Sequence, residues 1–262
     1  MSDEAAWREF RRRRDAALAA SHGVLSQVDL IWIDPAAGAQ RAGDVPGRWE
    51  IRDGHLVGTW EDGAARLLVG APEVAAHIED GRTGVTVLAE SDVRLAAFGQ
   101  DLQCDVIRRG DRIGLRVLDP AAPRRTAFAG VPTYPFDPSA VLTGTWRPAP
   151  ATVTVGSALP WLTQHLPSPG IATLDVDGAP VEMVLTGTST LSFTDETSGT
   201  TSAEWRAVTA QLDGDRITVD LNRALNFPSA FSAWGTCPRP PAGNHLPLPV
   251  TAGERAVEQT RR

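Results

Sequence analysis

The sequence contains no lysine, so each of its 25 basic side chains is an arginine. GC-rich codon usage accounts for the bias, but the consequence is chemical. Side-chain Schiff-base catalysis and a lysine-bearing phosphate loop both require that amine and are excluded. Cysteine is nearly absent too. Cys104 and Cys237 stand 133 positions apart, which suits a reducing compartment better than a disulfide scaffold or a cysteine-based zinc site. Positive charge is in deficit: the net charge of −7 argues against a nucleic-acid partner, which wants a basic face. Long apolar runs are missing, so no segment is expected to span a bilayer. The N-terminal MSDEAAWREFRRRR has no apolar core ahead of a cleavage site, so it is not read as a secretory signal, and the cytoplasm is the expected location. The oligomeric state stays open.

What is present describes a folded β-rich chain. Its 262 residues are 42% hydrophobic and 22% charged, ordinary values that allow one large or two small cores. Residues 2–21 read as a helix capped by Ser2 or Asp3, with an apolar stripe of Trp7, Phe10, Ala17 and Leu18 and a stop at Gly23. The run Arg11–Arg14 is expected on its solvated face. After Gly23 the period changes to short strands. RWEIR and HLVGTW flank Asp53-Gly54, while QCDVIRR and RIGLRVLD flank Gly110-Asp111. Such pairs of turn residues mark tight hairpins. The expected architecture is mainly β: an N-terminal helix (1–23), a β-sandwich-like unit (24–118), a Pro-rich connector (119–138), a second β-sandwich or partly open barrel (139–255), and a frayed tail (256–262). In the second unit TSAEWRAVTAQL and RITVDLN flank Asp213-Gly214, Asp177-Gly178 marks another turn, and SALPWLTQHLPS suggests a helical turn.

Motifs with a fixed chemistry are missing. There is no GxGxxG opening a helix, no GxxxxGK[ST], no HExxH and no GxSxG. The five histidines are scattered singly. Asp80 is within three residues of His77, but on a strand the two side chains would face opposite ways. No metal and no cofactor are expected. Ser229, His245 and Asp220 are triad residue types without a supporting spacing, and Cys237 reads as a small buried side chain.

The positive signal is RITVDLN. On a strand, Ile217, Val219 and Leu221 share one face, while Thr218, Asp220 and Asn222 share the other. The stretch from Asp220 to Glu254 then concentrates three asparagines and six prolines in irregular sequence. Two readings stay open. The polar side chains hold a long loop by bonding its backbone, or they wall a pocket. In the second case Asp195, Arg206, Asp220, Asn222, Arg223, Asn226 and Asn244 supply polar contacts and Trp234 an apolar wall. Arginine forks in such a pocket favour a small anionic metabolite. The alternatives are a hydrolytic enzyme with Asp220 as base and Asn222 and Asn226 orienting, and an interaction module using the sandwich edge and the Trp7/Phe10 helix face.

The same stretch resembles a family. VDLNRALNFPSAF, TCPRPP, NHLP and TAGE, with LSFTDETSGTTSAEWR, VIRRGDRIGLRVLDP, VLSQVDLIWI and TYPFDP upstream, are similar to segments of DUF1684, a bacterial and archaeal family of unknown function. The likeness covers most of residues 5–255 and implies a two-part β protein with no assigned activity and no catalytic residues to carry over. The chain looks like a divergent member. Ser229 stands where the family pattern has Cys, His245 where Arg is usual, Leu225 and Phe227 where Tyr and Pro are usual, and Glu204-Trp205 where a Tyr precedes Arg206. AAGAQRAGDVPGRWEI also replaces a phrase reminiscent of forkhead-associated sandwiches.

Overall fold

A computed structural model describes residues 3–257. The chain is mainly β, with an N-terminal helix and several antiparallel sheets, none closed into a barrel. It divides into two compact units, one of residues 18–128 and one of residues 3–17 with 129–257. Of the expected tail, residues 258–262 lie outside the described residues, as does Ser2. Among the described residues no helix is long and apolar enough to cross a membrane.

The unit of residues 18–128 holds ten strands: β1 (Gln27–Trp32), β2 (Gln40–Ala42), β3 (Val45–Arg52), β4 (His55–Glu61), β5 (Ala65–Leu67), β6 (Val74–Glu79), β7 (Arg82–Val87), β8 (Val93–Phe98), β9 (Leu102–Arg109) and β10 (Arg112–Leu118). They form two five-stranded sheets, ordered β1-β10-β9-β8-β5 and β2-β3-β4-β7-β6. One apolar cluster joins both inner faces, with Trp49, Leu56 and Val85 from one sheet and Leu95, Val106 and Leu115 from the other. That is the sandwich expected from strand alternation. Asp53-Gly54 closes β3–β4 with both φ angles positive (51° and 78°), and Asp80-Gly81 closes β6–β7 the same way (49° and 70°). This backbone matches strand twist, and Asp-Gly supplies it. The Asp80-Gly81 hairpin escapes the sequence reading because HIED (77–80) reads as a strand up to Asp80. Trp49 is seated opposite Gly58. A Cβ there would lie 2.4 Å from the indole ring, so the glycine makes room for one of the two tryptophans of this core.

The other unit begins with α1 (Glu4–Leu18), followed after the short α2 (Pro123–Thr126, in the first unit) by β11 (Val141–Val155), β12 (Gln164–Val176), β13 (Ala179–Val184), β14 (Thr190–Asp195), β15 (Arg206–Thr209), β16 (Gln211–Asp213), β17 (Arg216–Asp220), β18 (Leu225–Asn226) and β19 (His245–Leu246). One sheet runs β13-β12-β11-β17-β16 and the other β18-β15-β14-β19. Leu174, Met183, Ile217 and Val219 of the first meet Leu191, Phe193 and Val208 of the second.

Several expectations are corrected here. TSAEWRAVTAQL is not one strand: at Ala210 the chain leaves β15 and enters the other sheet as β16. SALPWLTQHLPS holds a single hydrogen-bonded turn, with Leu162 N donating to Leu159 O at 3.0 Å, and β12 starts at Gln164. In α1, Asp3 Oδ1 accepts from Ala5 N at 2.9 Å, as a capping residue does. Ala17 is exposed, and Arg11 is buried where solvent was expected.

Candidate functional site

Along β17 the alternation holds. Ile217, Val219 and Leu221 are buried, while Thr218 and Asp220 are half-buried on the opposite face. The strand stops at Asp220 because its carboxylate turns to the backbone ahead. Asp220 Oδ1 accepts from Asn222 N at 3.1 Å and caps a 3₁₀ turn over Leu221–Arg223. That turn swings Asn222 inward, out of the polar face the alternation gave it, until it is 1% exposed. Its Oδ1 accepts from Asp137 N at 3.0 Å, and its Nδ2 donates to Asp137 O at 2.8 Å and to Asp220 Oδ1 at 2.9 Å. The side chain thus serves residue 137 as a strand neighbour would. Arg223 donates from Nε to Asp220 Oδ2 at 3.2 Å and lies over the Phe10 ring at 5.0 Å. Both Asp220 oxygens are engaged, so a general-base role would require it to give up one of these partners.

Asn244 repeats the Asn222 device. Its Oδ1 accepts from Val184 N at 2.8 Å, and its Nδ2 donates to Val184 O and Ser192 O, both at 2.9 Å. It joins the edges of β13 and β14 where no ladder partner is available. Asp195 and Arg206 form a buried pair at 2.9 Å with side-chain exposures of 1% and 0%. Arg206 Nη1 also donates to Ala252 O (2.6 Å) and Glu254 O (3.0 Å), and Nη2 to Val250 O (2.9 Å). Asp195 Oδ1 accepts from Thr197 N at 2.8 Å and from Thr197 Oγ1 at 2.5 Å. The pair fastens the segment 250–254 to the sheet.

Sequence reasoning missed the other half of this fastening. Glu254 is fully buried. It accepts from Arg11 Nη1 at 2.7 Å, Arg14 Nε at 3.1 Å and Asn226 N at 2.6 Å. Arg14 Nη2 donates to Asn226 O at 2.8 Å, and Asn226 Nδ2 to Arg255 O at 2.8 Å. Gly253 is required in this segment: its φ is +77°, and a Cβ would lie 2.7 Å from Ala224 O. Positions 7, 10, 11 and 14 share one helical face, and that spacing was the available signal. Trp7 Nε1 donates to Asn222 O at 2.9 Å, and the ring lies 5.5 Å from Phe136. The helix face considered for an outside partner is used within its own unit.

Among the described residues the bonds of His245 are to side chains other than Ser229 and Asp220. His245 pairs through Nδ1 with Thr194 Oγ1 (3.0 Å) and through Nε2 with Glu196 Oε1 (3.2 Å). Both cysteines are buried, and burial pushes the Cys104 thiol well above its ordinary range. Among the described residues no group of three His, Cys, Asp or Glu side chains could hold a metal ion. Tyr134 ends a chain of hydroxyls. Its OH lies 2.7 Å from Thr201 Oγ1 and 3.2 Å from Ser202 Oγ, and Ser202 Oγ is 2.7 Å from Thr197 Oγ1. Burial raises the phenol, but the bonds from Ser202, Thr201 and Thr197, with the field of Arg206, together hold it below its ordinary value.

Two clefts, each of about 380 Å³, lie along residues 223–235. One is lined by Phe10, Arg14, Arg223, Leu225, Phe227 and Pro228, and the other by Ser202, Glu204, Trp205, Ser229, Ser232 and Gly235 among others. The Phe227 ring of the first stands 6.4 Å from the Trp205 ring of the second. Of the predicted residues, Arg223 and Asn226 reach the first cleft. Trp234 is half-buried and lines neither. A cavity of about 620 Å³ in the unit of residues 18–128, at Trp32, Asp34, Arg108 and Arg112, was not anticipated.

Comparison with known proteins agrees with the resemblance. The model of a family described as proteins of unknown function, DUF1684, matches residues 126–255. The solution NMR structure of an uncharacterised protein of Haloarcula marismortui is 27% identical, covering 50% of this chain and 79% of that one, with a TM-score of 0.41. No curated protein matches.

Proposed function

With residues 126–255 belonging to the DUF1684 family, whose description assigns no activity, we propose that the unit they build with α1 binds a small anionic metabolite in the cleft beside Arg223. One observation carries this reading. Among the described residues only Nε of Arg223 has a hydrogen-bond partner, and the side chain, 34% exposed, borders a cleft also lined by Arg14. The two terminal nitrogens keep the geometry that grips a carboxylate or phosphate through paired bonds. Stacking on Phe10 fixes the guanidinium plane before a ligand arrives. Leu225, Phe227 and Pro228 supply an apolar wall, so a carboxylate on an apolar body fits better than a bare inorganic anion. The setting proposed is the cytoplasm, in keeping with a chain of only two cysteines, and the two compact units are read as separate domains.

The test is titration calorimetry with benzoate, citrate and inorganic phosphate on wild type, Arg223→Ala and the exposed control Arg216→Ala. Benzoate is expected to bind best, and Arg223→Ala to weaken it at least about tenfold, about 1.4 kcal/mol, with the control unchanged. Equal affinity in all three proteins, or no binding of any probe, would remove this cleft as the site.

A further inference from the structure

We propose that the cleft between Trp205 and Ser229 is a second, independent site, and that it takes a small neutral carboxamide. The observation that points to a ligand is the Trp205 indole. The residue is 5% exposed, and its Nε1 is buried without a hydrogen-bond partner among the described residues. Two other indoles of the same unit are satisfied: Trp7 donates to Asn222 O and Trp146 to Gly214 O. Native folds rarely leave such a donor orphaned, because its desolvation is then uncompensated. Here the orphan borders a cleft large enough for a small molecule. A ligand carbonyl that reached it would be its missing partner.

Ser202, on the same cleft, supplies the complementary group. Thr197 has one hydroxyl proton, and its 2.5 Å contact with the Asp195 carboxylate, an acceptor, takes it. The serine's proton is used inside the same network, by Thr197 Oγ1 at 2.7 Å or by the Tyr134 oxygen at 3.2 Å. Ser202 therefore offers the cleft an acceptor and no donor. One donor and one acceptor in one small cleft match a group that carries both, a C=O beside an N–H. Charge is balanced at the rim, where Glu204 pairs with Arg239 at 2.9 Å, so a neutral guest is favoured. The space comes from small residues. Ala203, Ala230 and Ala233 line the cleft, and at Gly235 a Cβ would lie 2.4 Å from Ser229 Cα.

The experiment is a ¹H–¹⁵N NMR titration of the full chain with nicotinamide and N-methylacetamide at millimolar concentration, with acetate as the charged control. Trp205→Phe identifies the Trp205 indole resonance, and Ala233→Trp, at an exposed position, blocks the cleft without disturbing the core. The expected result is a saturable shift of the Trp205 resonance with at least one carboxamide, lost in Ala233→Trp and kept in Arg223→Ala. No shift with either carboxamide, or the same shift in Ala233→Trp, would overturn the site. An equal shift with acetate would overturn the neutral carboxamide as its guest.

Discussion

The two units solve one problem in different ways. In residues 18–128 the strands pair continuously and the interior is apolar. The buried polar side chains there are Ser26, Gln27, Thr83 and Gln103, none of them charged. In the other unit regular pairing breaks down after β17, and the interior takes in Arg11, Asp195, Arg206 and Glu254, with Asn222, Asn226 and Asn244. Where a chain gives up ladder bonds, its backbone groups still need partners. Here side chains provide them, two asparagines acting as inserted strand edges and two charge clusters holding residues 250–255. The first unit is therefore stabilised mainly by apolar burial. The second depends on a polar network, in which the loss of one member strands several others.

The largest test of this contrast is Arg206→Ala. It leaves Asp195 buried without its charge partner and three carbonyls, those of Val250, Ala252 and Glu254, without a donor. Removing one partner of a buried pair costs about 3–5 kcal/mol. The loss should appear in denaturant unfolding, and hydrogen exchange should accelerate across residues 129–257 with residues 18–128 protected as before. Trp49→Ala, a cavity mutation costing about 3–5 kcal/mol, should give the reverse pattern. If Arg206→Ala costs under about 1 kcal/mol, the network is ornamental and the contrast fails.

A smaller effect isolates the inserted edge. Asn244→Asp keeps the shape but cannot donate, so Val184 O and Ser192 O lose their partner. About 1–3 kcal/mol is expected, concentrated in β13, β14 and β19. Unchanged exchange at the amide of Val184 would show that water replaces the side chain and that the edge is not needed.

The same contrast explains what the sequence disclosed. Strand alternation and Asp-Gly turns are local and periodic, so the sandwich and the buried face of Ile217, Val219 and Leu221 were legible. The polar network is neither. Glu254 meets Arg11 across 243 positions, and Asn244 meets Val184 across 60. No period announces an amide that replaces a strand. Asn222 and Asn244 were found as polar residues in irregular sequence, but their direction was not, and they face backbone rather than a cleft. The arginine run was read as one solvated face. Arg12 and Arg13 fit that reading, while Arg11 and Arg14 lie on the Trp7/Phe10 face and turn inward. The departures from the family pattern at Glu204, Trp205 and Ser229 look unrelated in sequence and border one cleft in the fold.

The subtlest test asks how far the network reaches. Tyr134 is the chain's single tyrosine, so ultraviolet absorbance reports its ionisation directly. Its hydroxyl is bonded to Thr201 and Ser202, and through Ser202 and Thr197 the chain of hydroxyls arrives at Asp195. Burial works against the phenolate, yet those bonds and Arg206 outweigh it, so the midpoint should fall below the free value of about 10. A depressed phenol stabilises the fold only in alkali. That contribution is complete above the unfolded pKa, is lost as the pH falls through the folded one, and is absent at neutral pH. Ser202→Ala cuts the link and should move the midpoint back up, while the buried bonds it strands cost about 1–3 kcal/mol at pH 7. A midpoint indifferent to Ser202 would mean that the network ends at Thr197, and that the polar interior of this unit stops short of its surface.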